Sequence, residues 1–390
     1  MIYFPRRFRL LLSLALAVPG TLPAPAQPIR IVAANLTSGN GQDYDPGHGI
    51  RILQGLNPDI VLVQEFNYFT NTTAYLQTFA DNVFEAEGFY YYREPGGENI
   101  PNGILSRYPI LDSGEWDQPV NDRDHAWARI DIPGNRELLV VSVHLRTDDG
   151  VRPGEATQLL SYLNTYYSAN NGERATDYLV IGGDFNSDSR TETALNTLGA
   201  LVTIGSPSAQ PVGRDTNNQL NANTNANRNR PYDAVYAGKG WHALQVPTVV
   251  GTSFFPHGLV ADTRYYAPLS DLSPAFAGDS GASNMQHHAV VKDFQIPIPA
   301  DQPVLEILSS SIESSAPRHA QITFRSTAGL TYEVQASHIL AGASWTPLGN
   351  ITATGTITAV TIVTTPPGTG QVQDSFLASS PRRFYRVIRR

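Results

Sequence analysis

The sequence predicts an α/β domain followed by a small domain made mostly of β-strands. In the first three quarters of the chain, short apolar runs alternate with segments whose apolar residues recur every three or four positions. That pattern is typical of strands alternating with helices. Over residues 303–390, apolar and polar residues alternate one by one between turn residues, which indicates half-buried strands. A chain of 390 residues is long enough for two such domains.

Residues 1–26 have the pattern of an export signal. Three arginines at positions 6, 7 and 9 precede an apolar run, and Ala24 and Ala26 are small residues at the positions that signal peptidases read. The run is shorter than the roughly 20 residues that a membrane-spanning helix needs. We therefore expect a cleaved signal peptide, no transmembrane segment, and a mature protein that is secreted or periplasmic. The chain contains no cysteine, which excludes disulfides, thiol catalysis and zinc–thiolate sites.

Five strand-like runs, each apolar throughout, organise the first domain: Ile29–Ala34, Ile60–Val63, Leu138–Val143, Tyr178–Ile181 and Ala234–Ala237. Helical spacing is clearest between Ala156 and Tyr166, and a second helix is predicted around Tyr75–Val83. Strands without a polar face must be covered on both sides, so we expect helices to pack outside the sheets. Seven of the fifteen residues 216–230 are asparagine, which predicts a polar surface loop.

The predicted domains, residues 27–298 and 303–390, differ in charge, and a proline-rich linker over residues 296–303 separates them. Residues 27–302 contain 17 basic and 31 acidic residues, a net charge of −14, whereas residues 303–390 contain 7 and 4, a net charge of +3. Strand-like runs predict a small β-sandwich in the second domain, at Gln321–Arg325, Thr331–Ala336, Ile357–Thr364 and Arg383–Ile388.

The second domain also resembles a β-module that is often appended to secreted bacterial enzymes. The resemblance lies in Tyr332–Gln335, Trp345 and the closing segment Arg382–Val387. It implies attachment to a surface or polymer, or accessory binding. The sequence indicates no obligate protein partner.

Polar side chains follow four of the five apolar strands of the first domain. Asn35 follows the first strand, Glu65 the second and His144 the third, and Asp184 with Asn186 follows the fourth. Residues two apart on an extended chain lie on the same face, so Asp184 and Asn186 are expected to point the same way. A single polar residue after a strand is typical of a turn. If the strand ends cluster, however, these groups converge on one pocket.

The set resembles the endonuclease/exonuclease/phosphatase superfamily, which contains metal-dependent phosphoesterases. The most specific piece is Gly-Asp-Phe-Asn at residues 183–186, and the resemblance extends over roughly residues 28–294. It implies a four-layer α/β/β/α sandwich, in which two packed mixed sheets are flanked by helices. Four further stretches are similar to the pancreatic-type deoxyribonuclease branch: Tyr92–Pro95, Arg123–Ala126, Tyr232–Asp233 and His287–Val290.

The resemblance implies a role for each matching residue. Glu65 would be the main magnesium ligand with Asn35 beside it, and oxygen donors also suit Mn²⁺ or a structural or co-activating Ca²⁺. The remaining matches imply one role each: His144 as the catalytic histidine, Glu94 as the carboxylate that orients it, Asp184 and Asn186 as the groups that position water and the scissile phosphate, Asp233 as the partner of His287, and Arg123 as a phosphate contact.

One position departs from the family pattern, because Gln286 stands where the family usually has aspartate before the last histidine. The reaction predicted first is hydrolysis of nucleic-acid backbones. The acidic domain favours this only if Arg93, Arg123, Arg129 and Arg146 lie on one face. Two alternatives stay open: a phospholipid or sphingomyelin phosphodiesterase, which would need exposed apolar residues such as Phe254, Phe255 or Trp127, and a non-catalytic polyanion-binding or adhesion protein.

Overall fold

The computed structural model describes residues 26–37, 42–96, 99–118, 123–134, 136–169, 174–297, 307–312, 319–326, 328–337, 346–364, 366–374 and 384–389. The predicted export signal lies outside the described residues except for Ala26, which begins the first strand. The predicted domain boundary between 298 and 303, and the residues Trp345 and Arg382, also lie outside them.

The strands of the described residues are, in chain order, β1 (Ala26–Ala34), β2 (Ile60–Val63), β3 (Tyr90–Arg93), β4 (Gly103–Ser106), β5 (Ile110–Trp116), β6 (His125–Ile130), β7 (Leu138–His144), β8 (Tyr178–Asp184), β9 (Val202–Thr203), β10 (Gly213–Arg214), β11 (Leu220–Asn221), β12 (Asp233–Gly238), β13 (Gln245–Val246), β14 (Thr248–Val250), β15 (Ser253–Phe255), β16 (Leu259–Ala261), β17 (Ala289–Pro297), β18 (Ile307–Ile312), β19 (Ala320–Arg325), β20 (Thr331–Ser337), β21 (Thr346–Thr352), β22 (Ile357–Val363), β23 (Gln371–Gln373) and β24 (Phe384–Arg389). The helices are α1 (His48–Leu56), α2 (Thr73–Phe84), α3 (Arg152–Ser168), α4 (Thr193–Leu198) and α5 (Lys239–His242).

Two large mixed sheets form the N-terminal part of the fold. The first sheet has the order β13–β17–β1–β2–β4–β3, with β16 also paired to β17, and the second has the order β5–β6–β7–β8–β12–β9. Each sheet contains a parallel pair at its centre, β1 with β2 in the first and β7 with β8 in the second. The carboxyl ends of these central strands therefore lead into loops at the same edge of each sheet.

The two sheets pack face to face, and helices cover their outer faces. Ile31 of β1 and Val140 of β7 belong to an apolar cluster between the sheets. The next residue, Val32, points to the opposite face and packs with α1 and α2, while Val141 packs with α3 and α4. The order of layers is therefore α/β/β/α, as the resemblance implied, and every strand of the centre is covered on both sides.

All five predicted N-terminal strands and both predicted helices are confirmed, with small differences at their ends. Helix α1, which follows the turn-forming segment Asp45-Pro46-Gly47, was not predicted from the sequence. Among the described residues, every helix is too short or too polar to cross a lipid bilayer.

The C-terminal strands form two smaller sheets, one with the order β18–β19–β22–β23 and one with the order β21–β20–β24. Phe324 of β19 and Tyr332 of β20, one from each of these smaller sheets, pack in one apolar cluster. The predicted strands of this part are confirmed over the described residues.

Candidate active site

The ends of the central strands bring the predicted site residues together. β1 and β2 run in parallel, with Ala34 beside Val63, so Asn35 and Glu65 follow at neighbouring points of one sheet edge. In the second sheet, His144 at the end of β7 is in register with Asp184 at the end of β8. Asp184 is in turn opposite Asp233, the first residue of β12.

Asp184 Oδ2 is the common acceptor of the site. It lies 3.1 Å from Asn35 Nδ2, 3.2 Å from His144 Nε2 and 3.5 Å from His287 Nε2. Asp184 is buried, and its other oxygen accepts the backbone N–H of Asn186 at 2.8 Å. Groups from both sheets thus meet at one carboxylate, which no single strand could assemble.

The site contains the carboxylate–histidine pair that the resemblance implied between Asp233 and His287. Their Oδ2 and Nδ1 atoms are 3.0 Å apart, and both residues are buried. The sequence left the choice between His287 and His288 insecure, and the structure separates them. His288 faces Asp262 and Arg264 instead, on the other side of the chain.

The charges of these groups follow from their surroundings. Burial acts to lower the pKa of His287, but the carboxylates of Asp233 and Asp184 outweigh it and raise that pKa to about 10. Burial likewise acts to raise the pKa of Asp184, but the positive charges of His287 and His144 hold it below its ordinary value. At neutral pH the site therefore contains a protonated His287 between two carboxylates.

The expected contact between Glu94 and His144 is not formed. The two carboxylate oxygens of Glu94 accept the backbone N–H groups of Asn102 and Asp124, at 2.7 and 2.9 Å. Within the described residues, His144 Nδ1 is buried and makes no hydrogen bond. Glu94 instead joins the loop between β3 and β4 to the segment that precedes β6, so the orienting role implied by the resemblance does not fit its position.

Glu94 also belongs to a group of three carboxylates. Ligand atoms of Glu94, Glu115 and Asp124 lie within 4.8 Å of one another. Burial raises the pKa of Glu94 to about 9. Glu94 is therefore protonated at neutral pH, which lowers the repulsion within the group.

Two predicted site residues have unusual backbone conformations. Glu65 and Asn186 both lie in the left-handed region, with φ of 51° and 48°. Side chains other than glycine rarely adopt this conformation, and it is concentrated at functional sites. These two turns, one at the end of β2 and one at the end of β8, direct the side chains of Glu65 and Asn186. Asn186 Nδ2 donates to the backbone carbonyl of Leu145 at 2.8 Å.

Glycine is required just before Asp184. Gly183 has φ of 140°, and a Cβ at this position would lie 2.1 Å from the carbonyl oxygen of Val143. A Cβ at Gly182 would lie 2.5 Å from Leu62 of the facing sheet. The paired glycines thus allow β8 to approach both β7 and the first sheet closely enough to place Asp184 between them.

The donor atoms fit a divalent cation of the magnesium type. Glu65 and Asn35 contribute carboxylate and amide oxygens, both residues are buried, and Asn35 Nδ2 lies 3.2 Å from Glu65 Oε1. Hard cations prefer such oxygen ligands. Atoms of Asp184, Asp233 and His287 also lie within 4.8 Å of one another, but both ring nitrogens of His287 already face carboxylates, Nδ1 that of Asp233 and Nε2 that of Asp184. The Glu65–Asn35 side of the pocket is therefore the better place for an ion.

One acidic residue near the site was missed from sequence. Glu155, on the first turn of α3, is buried and accepts the N–H of Arg146 at 3.0 Å. Burial raises its pKa, and Arg123, Arg146 and His144 are close enough to oppose that rise. The helical spacing identified α3 but gave no sign that Glu155, the single acidic residue of this helix, is buried.

The asparagine-rich segment is not simply a surface loop, because Thr224, Asn225 and Arg228 are buried in it. Gln286, in contrast, is exposed, and its backbone carbonyl oxygen accepts the N–H of Ala226 at 2.6 Å. The replacement at this position therefore lies outside the buried acid–histidine group.

The family model described as the Endonuclease/Exonuclease/phosphatase family matches residues 50–271. The chain belongs to this family, whose members are hydrolases that act on phosphoester bonds and generally use divalent metals. A comparison with curated proteins finds no match.

Solved structures with a similar fold include a family protein from Bacteroides thetaiotaomicron, at 12% identity and a TM-score of 0.44, covering 70% of this chain and 99% of that one. Truncated TDP2 from Caenorhabditis elegans has 14% identity and a TM-score of 0.42, covering 68% and 97%. The mannosyl-6-phosphatase Bt3783 from Bacteroides thetaiotaomicron has 12% identity and a TM-score of 0.42, covering 69% and 99%. At these values, none of the three supports an argument about the reaction.

Proposed function

We propose that this chain is an exported, divalent-metal-dependent phosphodiesterase that hydrolyses nucleic-acid backbones by attack of water. The observation that supports the reaction is the convergence of Asn35, His144 and His287 on Asp184 Oδ2, with Asp233 behind His287. The pattern of residues 1–26 supports export. The C-terminal sheets would attach the enzyme to a surface or polymer.

The chain's own residues can perform both proton transfers. A protonated His287 is suited to give its proton to the leaving oxygen, and Asp233 keeps the imidazole oriented and charged. The ionised Asp184 is suited to accept a hydrogen bond from the attacking water, and His144 supplies a second proton-transfer group on its other side. A divalent cation held by Glu65 and Asn35 would neutralise charge on the phosphoryl oxygens.

Two residues at the edge of the site, Tyr232 and Arg230, support a nucleic-acid substrate. The ring of Tyr232 lies 5.7 Å from the ring of His287 and is partly exposed. Arg230, two residues earlier, is exposed and pairs at 3.0 Å with Asp188, which is also exposed, so a phosphate would have to compete with this carboxylate. An aromatic ring beside a cation can stack a base and bind the adjacent phosphate. Long-range attraction is weaker than four grouped arginines would give, because Arg93 binds the carbonyl of Phe66 and Arg129 binds Asp177.

The substrate is tested with supercoiled plasmid DNA, single-stranded RNA and sphingomyelin vesicles, each with Mg²⁺ and with a chelator. The proposal expects Mg²⁺-dependent cleavage of at least one nucleic acid at a higher turnover than vesicle hydrolysis. Vesicle hydrolysis without nucleic-acid cleavage would overturn the substrate but keep the reaction. Absence of turnover on all three, with properly folded protein, would overturn the reaction as well.

A specific observation favours lipid as the second candidate substrate. Phe254 is 62% exposed, and Val249, opposite it in the β14–β15 hairpin, is 49% exposed. Together with Leu220, Phe254 borders a cavity of about 280 Å³. Exposed apolar groups of this kind mark surfaces for lipid or protein. If lipid is the substrate, Phe254→Ser would lower vesicle hydrolysis but leave plasmid cleavage unchanged. Trp127, the other apolar residue suggested for lipid contact, stacks on Trp116 and is only partly exposed.

A further inference from the structure

The segment 224–230 runs alongside the Asp233–His287 pair, and we call it the clamp segment. Thr224 has no exposed surface, and Asn225 and Arg228 are buried. Because a buried hydroxyl must find hydrogen-bond partners, Thr224 is expected to bond to neighbouring chain segments.

Thr224 contacts both chain segments that hold the pair. Its hydroxyl oxygen accepts the backbone N–H of Asp233 at 2.7 Å. Its carbonyl oxygen accepts the backbone N–H of His288 at 2.8 Å. One residue thus joins the start of β12, which contains Asp233, to the segment before β17, which contains His287.

The rest of the clamp segment fixes Thr224 in place. Asn225 forms an isolated antiparallel bridge with His287, and the N–H of Ala226 donates to the carbonyl of Gln286 at 2.6 Å. The side-chain oxygen of Asn225 accepts the N–H groups of Asn229 and Arg230, each at 2.8 Å. Asn225 therefore closes the loop on itself directly beside the segment that contains His287.

We propose that Thr224 is a positioning residue for the Asp233–His287 pair, and this inference rests on the proposed function. The hydroxyl fixes the backbone at Asp233, and the carbonyl fixes the backbone after His287. The 3.0 Å contact between the two side chains is then set by one residue that touches neither the substrate nor an ion. Displacements of about 1 Å at such a pair can lower a rate by about 100-fold.

The test compares Thr224→Val with Thr224→Ser, and uses Thr216→Val as the matched control. Valine has nearly the shape of threonine but no hydroxyl, serine keeps the hydroxyl, and Thr216 is exposed in the same part of the chain. Thr224→Val is expected to lower kcat by about 10- to 100-fold with KM changed less than about 2-fold. Thr224→Ser should retain most of kcat, and Thr216→Val should match the parent.

A double-mutant cycle separates positioning from a general loss of stability. In a His287→Gln background, Thr224→Val should cause no further loss of kcat, because the pair that it positions is already absent. If the two losses simply multiply, the effect of Thr224 does not pass through His287, and the proposal is overturned. All rates are compared well below the melting temperature of each variant.

A spectroscopic reading decides the proposal even if no phosphoester substrate is turned over. The Nδ1–H proton of His287 should give a downfield NMR signal, assigned by its absence in His287→Gln. Thr224→Val should move that signal upfield or remove it, and Thr224→Ser should restore it. An unchanged signal in Thr224→Val would overturn the positioning role. Absence of turnover in the parent, with the signal responding as expected, would overturn only the proposed function.

Discussion

At the scale of single residues, the state of Asp184 determines what the site can do. Its Oδ2 atom faces three nitrogen donors from three different segments, and His287 holds its pKa down. A carboxylate in this position stays ionised when buried, because the positive charges beside it offset the cost of burial. In turn, the negative charges of Asp233 and Asp184 keep His287 protonated, which makes it a proton donor rather than a base at neutral pH.

His144→Ala is expected to lower turnover by at least about 100-fold, because general acid–base groups contribute about 10²–10⁴-fold. The measurement is the steady-state rate on a simple phosphodiester with Mg²⁺ in excess. The exposed His257→Ala is the control and should match the parent. A near-normal rate in His144→Ala would refute the role of this histidine.

Asp233→Asn and Glu94→Gln should differ sharply, because only Asp233 contacts its histidine. Asp233→Asn is expected to lower kcat by about 100-fold or more. Glu94→Gln should change kcat less than about 10-fold, since it leaves the contacts of His144 intact. Equal losses in both variants would restore the orienting role of Glu94 that the structure does not contain.

At the scale of elements, the site depends on how β8 approaches its neighbours. The strand runs between β7 and β12, and its paired glycines let it lie close to the facing sheet. Side chains at the ends of β1, β7 and β8 then reach one point, although up to about 150 residues separate them in sequence.

Gly183→Ala is expected to destabilise the fold by about 2–4 kcal/mol, because the added Cβ meets backbone and φ is 140°. The measurement is the midpoint of urea unfolding. Gly154→Ala in α3 is the control, since nothing lies within 4 Å of its added Cβ. It should be neutral or up to about 1 kcal/mol more stable. Equal stability of the two variants would contradict the close approach of β8.

The sequence was most informative where the strands are apolar throughout. Ile60–Val63 is predicted to the residue, and Asn35, Glu65, His144 and Asp184 are all found at strand ends. It was least informative where a contact depends on the path of a loop. The side chain of Glu94 follows a strand as the others do, but it binds the backbone N–H of Asn102 in its own loop and that of Asp124 before β6. The role of Thr224 is likewise invisible in sequence, because its partners lie 9 and 64 positions away.

At the scale of the whole molecule, the N-terminal part of the fold contains a cation that is costly to bury. Lys292 of β17 is buried, and burial lowers its pKa to about 8 from the ordinary value of 10.5. Below pH 8 the folded protein therefore contains a charged, poorly solvated ammonium group. Between pH 8 and 10.5 the unfolded chain binds more protons than the folded one, so the contribution of this group to stability rises with pH.

Lys292→Met is expected to stabilise the protein at pH 7 by up to about 3 kcal/mol, at about 1.4 kcal/mol per pKa unit. The advantage should shrink as the pH rises from 8 to 10.5. The measurement is the free energy of unfolding in urea at several pH values. Lys239→Met is the control, because Lys239 is exposed, and it should show no such trend. A constant difference for Lys292→Met across this range would contradict a charged, buried lysine.

We propose that side chains from both sheets form one metal-dependent phosphodiesterase site. The most direct measurement is the cleavage of supercoiled plasmid DNA by the full chain and by Asp184→Asn, each with Mg²⁺ and with excess chelator. We expect cleavage only by the parent with Mg²⁺, and a loss of at least about 100-fold in the variant. Cleavage that persists in the chelator, or in a folded Asp184→Asn variant, would contradict the claim.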